Sequence, residues 1–483
     1  MKAETHVTNF GRNLTLTPKH LYTPRTEREV LDIMNRHACD TIRCVGRLHS
    51  WNAILQSSDV LLDLKYLNVV QTGNDETGKF AVVGAGCQIK HLISELKVSR
   101  QWTLPSLGFI TEQTIAGAIS TGTHGSGKHS LSHYVQSVRI AIYDPRNGQA
   151  VITEISSGDD LRAARCSLGC LGIILSVKIE ARATYRVEEH FRVYSNIEDV
   201  LSAEQQFPLQ QFYLVPWKWN YFAQHRRETT DQASSLAWLY HQYRFWVFDV
   251  TLHLLILFLT RALRIAACTR FAFKWIIPSF VIRKWAVVSG ASEQLVMEHE
   301  LFHHIELELF VQRSKLPAAM NSLISSLETL GGKQINRPNS VTQLSNPEST
   351  NPDLDRLRGK YCHHYPICIR KVLTDDTLIS MASPGADPAT KSEPWYSITL
   401  TNLHRGKNRS PFMEVMPVLT CELSQKYGAR THWGKLFGMS GSEIANLYPQ
   451  LTTFLAIRKN YDPLNRFQNQ WTKKCFTRND NKT

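Results

Sequence analysis

The run Thr114-Ile115-Ala116-Gly117-Ala118-Ile119-Ser120-Thr121-Gly122-Thr123-His124-Gly125-Ser126-Gly127 restricts the fold more than any other part of the chain. Four glycines among small hydroxylated residues let a backbone approach a ligand closely and present N–H donors to it. The run is too long and too poor in charge for an ordinary linker, so cofactor contact is the better reading. Leu104-Pro105-Ser106-Leu107-Gly108 leads into it. Upstream, Arg43-Cys44-Val45-Gly46-Arg47-Leu48-His49-Ser50-Trp51-Asn52 follows a predicted strand. A strand that ends in a Gly-containing loop turns successive N–H groups toward an anion such as a pyrophosphate, and His49 lies where an imidazole can reach a bound ring. Downstream, Leu168-Gly169-Cys170-Leu171-Gly172-Ile173-Ile174 reads as a Gly-punctuated strand, either passing close to a planar ligand or bulged within a core.

At 483 residues the chain exceeds what one core normally holds, which predicts two domains. Through about residue 183, strands at 60–64, 80–83 and 138–143 mix with helices at 27–37 and 89–97, the pattern of an α+β or α/β domain. Strand character resumes over 185–205 and at 211–215, 304–311, 366–369, 378–381 and 397–400, with a helix over 316–330 ending at Gly331-Gly332. Residues 336–351 read as a loop, and those after Lys473 as a solvated tail.

Between Leu236 and Val288 the chain is dense in Trp, Phe, Leu and Ile, with Arg244, Arg261, Arg264, Arg270, Lys274, Arg283 and Lys284 interleaved. Its purest apolar stretch, Val250–Thr260, is too short to cross a bilayer. Two readings stand: a buried helical hairpin, or an interfacial insertion whose aromatics enter the headgroup boundary while the cations face anionic lipid. The formal charge of +13 suits an anionic cofactor or a membrane face. Basic residues are spread out with no aromatic-interleaved run, which argues against nucleic acid. The ten cysteines show no zinc spacing, and Cys166 and Cys170 read as strand packing. Free thiols and an N-terminus without an apolar signal core predict a cytoplasmic or membrane-associated protein that is not secreted.

Taken in order, these elements resemble the aldonolactone oxidase branch of the vanillyl-alcohol-oxidase class of flavoproteins. Thr8-Asn9-Phe10-Gly11-Arg12-Asn13, the His-Ser loop, the Thr-Gly-Thr-His-Gly segment and Thr431-His432-Trp433-Gly434-Lys435 all fit that pattern. The aromatic insertion near Trp246 is similar to the membrane-associated segment of animal members. The resemblance implies an α+β fold. A two-subdomain FAD-binding (PCMH-type) domain would span 14–183 and an α/β cap domain 184–430, with the insertion at 236–290. A C-terminal segment, 431–483, would return to the flavin.

It further implies that Cys44, Val45, Gly46, Arg47, Leu48, His49 and Ser50 form the pyrophosphate loop, with His49 bonded covalently to the flavin. Ser106, Gly117, Thr121, Gly122, Thr123, His124 and Ile174 match the remaining FAD contacts, and Gly108 is the small residue that leaves the flavin open to oxygen. Arg370 and Lys435 would carry the chemistry. Cationic groups stabilise an alkoxide as hydride leaves carbon, and Lys435, depressed in pKa beside Arg370, would accept the hydroxyl proton. The implied reaction oxidises an alcohol group of a sugar-1,4-lactone (D-arabinono- or L-gulono-type) or polyol, with O2 giving H2O2. Alternatives are a dehydrogenase that uses a quinone or cytochrome, and a catalytically silent membrane- or partner-binding descendant. One departure stands out: Cys368 occupies the position of the carboxylate in the family's Glu-x-Arg strand. A thiol cannot accept paired hydrogen bonds from a polyol. Either the substrate differs, or Glu306 or Glu308 supplies the contact.

Overall fold

The computed structural model describes residues 6–297, 301–332, 352–405 and 409–478. The loop expected at 336–351 lies outside these residues. Near the N-terminus, Thr26 caps the helix Glu27–Arg36 by accepting the Glu29 N–H, and Val30, Ile33 and Met34 turn inward. This helix accompanies a parallel sheet in the order His20–Tyr22, Val60–Asp63, Ile42–Val45. A second sheet is antiparallel, in the order Ala150–Ile155, Val135–Tyr143, Ile173–Glu180, Gly78–Gly84, Val70–Asp75. One hydrophobic core unites the two.

The segment Leu168–Gly172 is a turn rather than part of a strand. Leu168 (φ 53°) and Gly169 (φ 66°) adopt left-handed backbone, so the ladder begins only at Ile173. The buried Arg43 guanidinium holds this turn by donating to the carbonyls of Leu168 (2.8 Å), Gly169 (2.9 Å), Ile54 (2.8 Å) and Phe467 (2.6 Å). Cys166 precedes it and Cys170 lies within it, both buried free thiols outside any strand.

The large antiparallel sheet has eight strands, in the order Val287–Gly290, Arg186–Tyr194, Asn220–Thr229, Gln211–Val215, Ile367–Val372, Trp395–Leu403, His304–Gln312, Arg430–Thr431. Period-two alternation sorts its faces. Phe212, Leu214, Ile367, Ile369, Ile398, Leu400, Ile305 and Leu307 bury the back face in a core shared with the helices Leu316–Leu330 and Arg409–Tyr427. The strand expected at 378–381 is irregular. The Asp375 carboxylate accepts from the Thr377 N–H and from the hydroxyls of Thr377, Ser380 and Ser130, so side-chain bonds replace a ladder. Near the C-terminus Lys474 belongs to the helix Gln470–Phe476, capped by Asn469, and not to a tail.

In the insertion, one helix runs without a break over the 27 residues Ala237–Leu263, long and apolar enough to cross a membrane by length and composition. It exceeds the expected apolar stretch because Asp249 and Arg261 interrupt the composition but not the backbone. Arg264 (φ 57°) then reverses the chain into a second helical arm. The hairpin is neither wholly buried nor wholly exposed. Tyr240, Ile256, Leu259 and Phe273 face inward, while Trp238, Trp246, Phe258 and Trp275 face solvent.

Two polar clusters lock these parts together. The fully buried Glu189 on the large sheet accepts from Arg226 Nε (2.6 Å), Gln224 Nε2 (2.6 Å) and the hydroxyl of Tyr240 on the insertion (2.6 Å). The Arg244 guanidinium stands 3.6 Å away. Burial pushes the Glu189 carboxyl up, but Arg226, Arg244 and Tyr240 outweigh it and hold it at about 2. The second cluster straps the early loop to the late motif. Trp51 N–H donates to the Gly434 carbonyl (2.9 Å), and Asn52 Nδ2 donates to the carbonyls of Trp433 (2.6 Å) and Lys435 (2.8 Å).

Glu189→Gln leaves buried guanidinium charge uncompensated and should cost about 3–5 kcal/mol, seen as a lower thermal midpoint; an unchanged midpoint would refute the latch. In the wild type this contribution is complete above the ordinary carboxyl value of 4.5 and lost as pH falls toward about 2, so the Tm gap between wild type and variant should close over that window. Asn52→Ala orphans two carbonyls and should cost about 1–3 kcal/mol in a denaturant titration.

Candidate active site

The front face of the large sheet, the 44–52 loop and the inner face of the insertion enclose a cavity of about 350 Å³. Strand register builds one wall. Glu308, Thr399, Cys368, Tyr213 and Phe222 are successive cross-strand partners, so they form a single row over five strands. Four strand spacings of about 4.8 Å put Phe222 roughly 19 Å from Glu308. The row starts polar and ends apolar. Beside it runs Ser397, Arg370, Gln211, Gln224 and Phe191. Arg370 Nε donates to Gln211 Oε1 (3.2 Å), Gln211 Nε2 to Gln224 Oε1 (2.7 Å), and Gln224 Nε2 to Glu189, so an amide chain joins Arg370 to the insertion's latch.

The late motif runs along the strand His304–Gln312. His432 N–H donates to the Glu308 carbonyl (2.9 Å) and Leu436 N–H to the Glu306 carbonyl (2.9 Å), which brings Lys435 beside Glu306. The Lys435 ammonium ion-pairs with Glu306 and lies 4.3 Å from the Trp51 ring centroid. The group paired with Lys435 is thus a carboxylate, Glu306. Burial pushes Glu306 up, but Lys435 and His304 (3.2 Å) prevail and hold it well below the usual carboxylate range. Glu308 is held low in the same way by His124 (3.1 Å), against its burial. Burial drives His432 down to about 3, and its Nδ1 accepts the Gly434 N–H (2.9 Å). His124, Glu308 and His432 offer ligand atoms within 4.8 Å of one another; His124 Nε2 pairs with Glu308 Oε1, and His124 Nδ1 with the Gly125 carbonyl (2.9 Å). For Arg370, burial lowers the pKa, yet Cys368, Glu308 and Tyr213 raise it further.

Of the expected cofactor residues, His49, Thr123 and His124 line this cavity, and the His49 ring stacks on Phe10 (4.8 Å, 12°). Cys44 and Val45 end the strand Ile42–Val45, and burial of the Cys44 thiol pushes its pKa up to about 12. A Cβ on Gly46 would sit 2.2 Å from Thr114 Oγ1, so the loop presses its backbone onto the glycine-rich segment. Arg47 is exposed, Leu48 adopts φ 58°, and the Ser50 carbonyl accepts from Asn9 Nδ2. Gly117 lies in the short helix Ile115–Ser120, where its carbonyl accepts from Thr121; Gly122 (φ 74°) turns the chain beyond it. A Cβ on Gly108 would meet Thr123 Cγ2 at 3.1 Å. The buried hydroxyls of Ser106 and Thr111 have no hydrogen-bond partner among the described residues. Ile174 is buried in the ladder opposite Ile140, away from the cavity. A backbone cradle with orphaned hydroxyls, beside a cavity that holds Arg370 and Lys435, fits FAD, whose pyrophosphate and ring need such donors.

The sequence reading missed the far wall: Phe248, Leu252 and Phe280 of the insertion, with Phe222, Phe302 and Tyr365. The aromatic density of 236–288 was the available signal.

A family model described as D-arabinono-1,4-lactone oxidase matches residues 177–475, and one described as FAD binding domain matches 18–149. A long-chain alcohol oxidase from an uncultured marine euryarchaeote is 47% identical over 96% of this chain and 95% of its own. The L-gulonolactone oxidase of Bos taurus is 24% identical over 97% of both chains. In fold, the chain is similar to the crystal structure of cholesterol oxidase from B. sterolicum (TM-score 0.72, 13% identity, 98% of this chain and 97% of that). The cradle and these matches agree: the chain belongs to the D-arabinono-1,4-lactone oxidase family, FAD-dependent oxidoreductases that act on CH–OH groups.

Proposed function

We propose that the enzyme oxidises the hydroxyl of a long-chain, apolar alcohol to the aldehyde, with O2 reduced to H2O2. The observation that carries this reading is the polar-to-apolar row from Glu308 to Phe222, continued by the insertion's Phe248, Leu252 and Phe280. A sugar lactone would set several hydroxyls against aromatic and aliphatic carbon, each at a cost of about 1–3 kcal/mol. An alkyl chain gains from the same surface. Cys368, in the middle of the row, agrees with a chain rather than a polyol at that point. The 47% identical relative bears the name of a long-chain alcohol oxidase, which supports the same substrate class.

FAD, when bound, supplies the acceptor for the hydride of the carbinol carbon. The protein's own part is electrostatic. Arg370 and Lys435 place positive charge at the polar end of the cavity, where it stabilises the substrate oxygen as its proton passes to the neighbouring Glu306 carboxylate. Glu306 positions the Lys435 ammonium over Trp51. We infer that His49 carries the flavin covalently, supported by its place on the cavity wall and its stacking on Phe10. Gly108 supports oxygen as acceptor, since it keeps bulk away from Thr123 and the cavity it lines.

Steady-state assays in air test the substrate class. Decanol should be turned over with stoichiometric peroxide, and L-gulono-1,4-lactone far more slowly; the reverse preference would refute the reading, and turnover only with an artificial acceptor would make the enzyme a dehydrogenase. Cys368→Glu should shift the preference toward the lactone. Lys435→Ala should slow anaerobic bleaching of the flavin about 10²–10³-fold with little change in substrate affinity. After acid precipitation the yellow colour should remain in the wild-type pellet and be lost from it in His49→Ala.

A further inference from the structure

We propose that Gln211 and Gln224 are positioning residues for the alcohol oxidation: they relay the charge of Glu189 to the Arg370 guanidinium and hold it in the orientation that the substrate oxygen requires. This rests on the reading that Arg370 stabilises that oxygen. A guanidinium at a reacting centre works only while its donors are aimed, and aim needs an acceptor. Both carboxylates at the polar end are committed elsewhere, Glu306 to Lys435 and His304, Glu308 to His124 and Thr399. Cys368, two residues away on the same strand, brings a thiol, which is a weak acceptor. The Phe109 ring, its centroid 5.5 Å from the guanidinium carbon, offers a face but no direction. Gln211 stands at the paired position on the next strand, and its Oε1 is the acceptor that fixes Arg370 Nε (3.2 Å).

An amide can turn end for end, so a chain of amides has a direction only if one end imposes it. Glu189 does so. Its carboxylate, fully buried and paired with Arg226 Nε (2.6 Å), can only accept, so Gln224 must present Nε2 to it (2.6 Å). That turns Gln224 Oε1 toward Gln211 Nε2 (2.7 Å) and leaves Gln211 Oε1 for Arg370. The Tyr213 hydroxyl also accepts from Gln211 Nε2 (2.8 Å), a second restraint on the same amide. Every bond of the chain donates in one sense, from guanidinium to carboxylate, the arrangement in which successive bonds polarise one another.

Gln211 and Gln224 are both buried, so bulk solvent does not compete for their amides. Three strand spacings of about 4.8 Å put the strand of Glu189 roughly 14 Å from that of Arg370. Glu189 therefore acts on the reacting end only through the chain. Its partners on the insertion are Tyr240 (2.6 Å) and Arg244 (3.6 Å). The contacts that seat the insertion over the cavity thus also anchor the group that aims Arg370.

Anaerobic reduction of the holoenzyme's flavin by decanol tests this, with limiting rate and substrate affinity read separately. Gln211→Leu is close in size and removes the acceptor. It should lower the limiting rate about tenfold or more with little change in affinity, the effect of losing a hydrogen bond to a charged group. Gln224→Leu, one amide further from Arg370, should act in the same direction, and it carries the test if Gln211→Leu does not fold. In an Arg370→Met background neither change should slow reduction further, whereas a loss of packing alone would add to the Arg370→Met loss. A crystal structure of Gln211→Leu should show the Arg370 guanidinium turned from its wild-type orientation. Full-rate reduction by both single variants, additive losses in the double variants, or an unmoved guanidinium overturns the relay. Unchanged reduction by Arg370→Met refutes instead the role of Arg370 in the reaction, on which the relay rests.

Discussion

A slip of one residue among the central strands of the large sheet would turn Cys368, Thr399 and Glu308 into the core and bring Ile369, Ile398 and Leu307 out to the cavity. Every chemical feature of the site depends on that register. The back face specifies it by burying aliphatic side chains against the helices Leu316–Leu330 and Arg409–Tyr427. With the back face fixed, the front face receives a row whose character changes strand by strand. Residues far apart in sequence thereby become neighbours, and the order of the strands becomes the order of polarity along the cavity.

Buried charge would threaten this arrangement if left unpaired. Each carboxylate at the polar end has a partner: Glu306 has Lys435 and His304, and Glu308 has His124 and Thr399. Glu189 repeats the device at the other end, where it binds the insertion to the sheet. The amide chain through Gln211 and Gln224 connects the two ends, so the side chain that carries Arg370's charge and the segment that closes the cavity share one hydrogen-bonded network. The strap at Trp51 and Asn52 completes the enclosure by holding the cofactor loop against the motif that bears Lys435.

Much of this was legible in the sequence, for physical reasons that also explain what was not. The alternation of His304 to Val311 gave a strand because one face is core and the other is site. The glycine-rich segments pointed to a cofactor because backbone approach demands glycine at Gly46 and Gly122. The segment 378–381 misled because its apolar residues are buried by a loop that Asp375 organises through side-chain bonds. The Lys435–Glu306 pair was invisible because its members lie 129 residues apart and meet only through sheet register. The insertion was the hardest to read: a helix apolar on every side does not show which face meets lipid or solvent and which lines a cavity.

If the apolar wall selects the substrate, binding should pay for itself methylene by methylene. The most direct measurement is kcat/KM across a series of straight-chain primary alcohols dispersed in detergent at fixed concentration. Burial of about 0.8 kcal/mol per CH₂ predicts a rise of roughly fourfold for each added carbon until the cavity is filled, and a plateau or decline beyond. A flat dependence on chain length, with sugar lactones preferred throughout, would contradict the account at its centre.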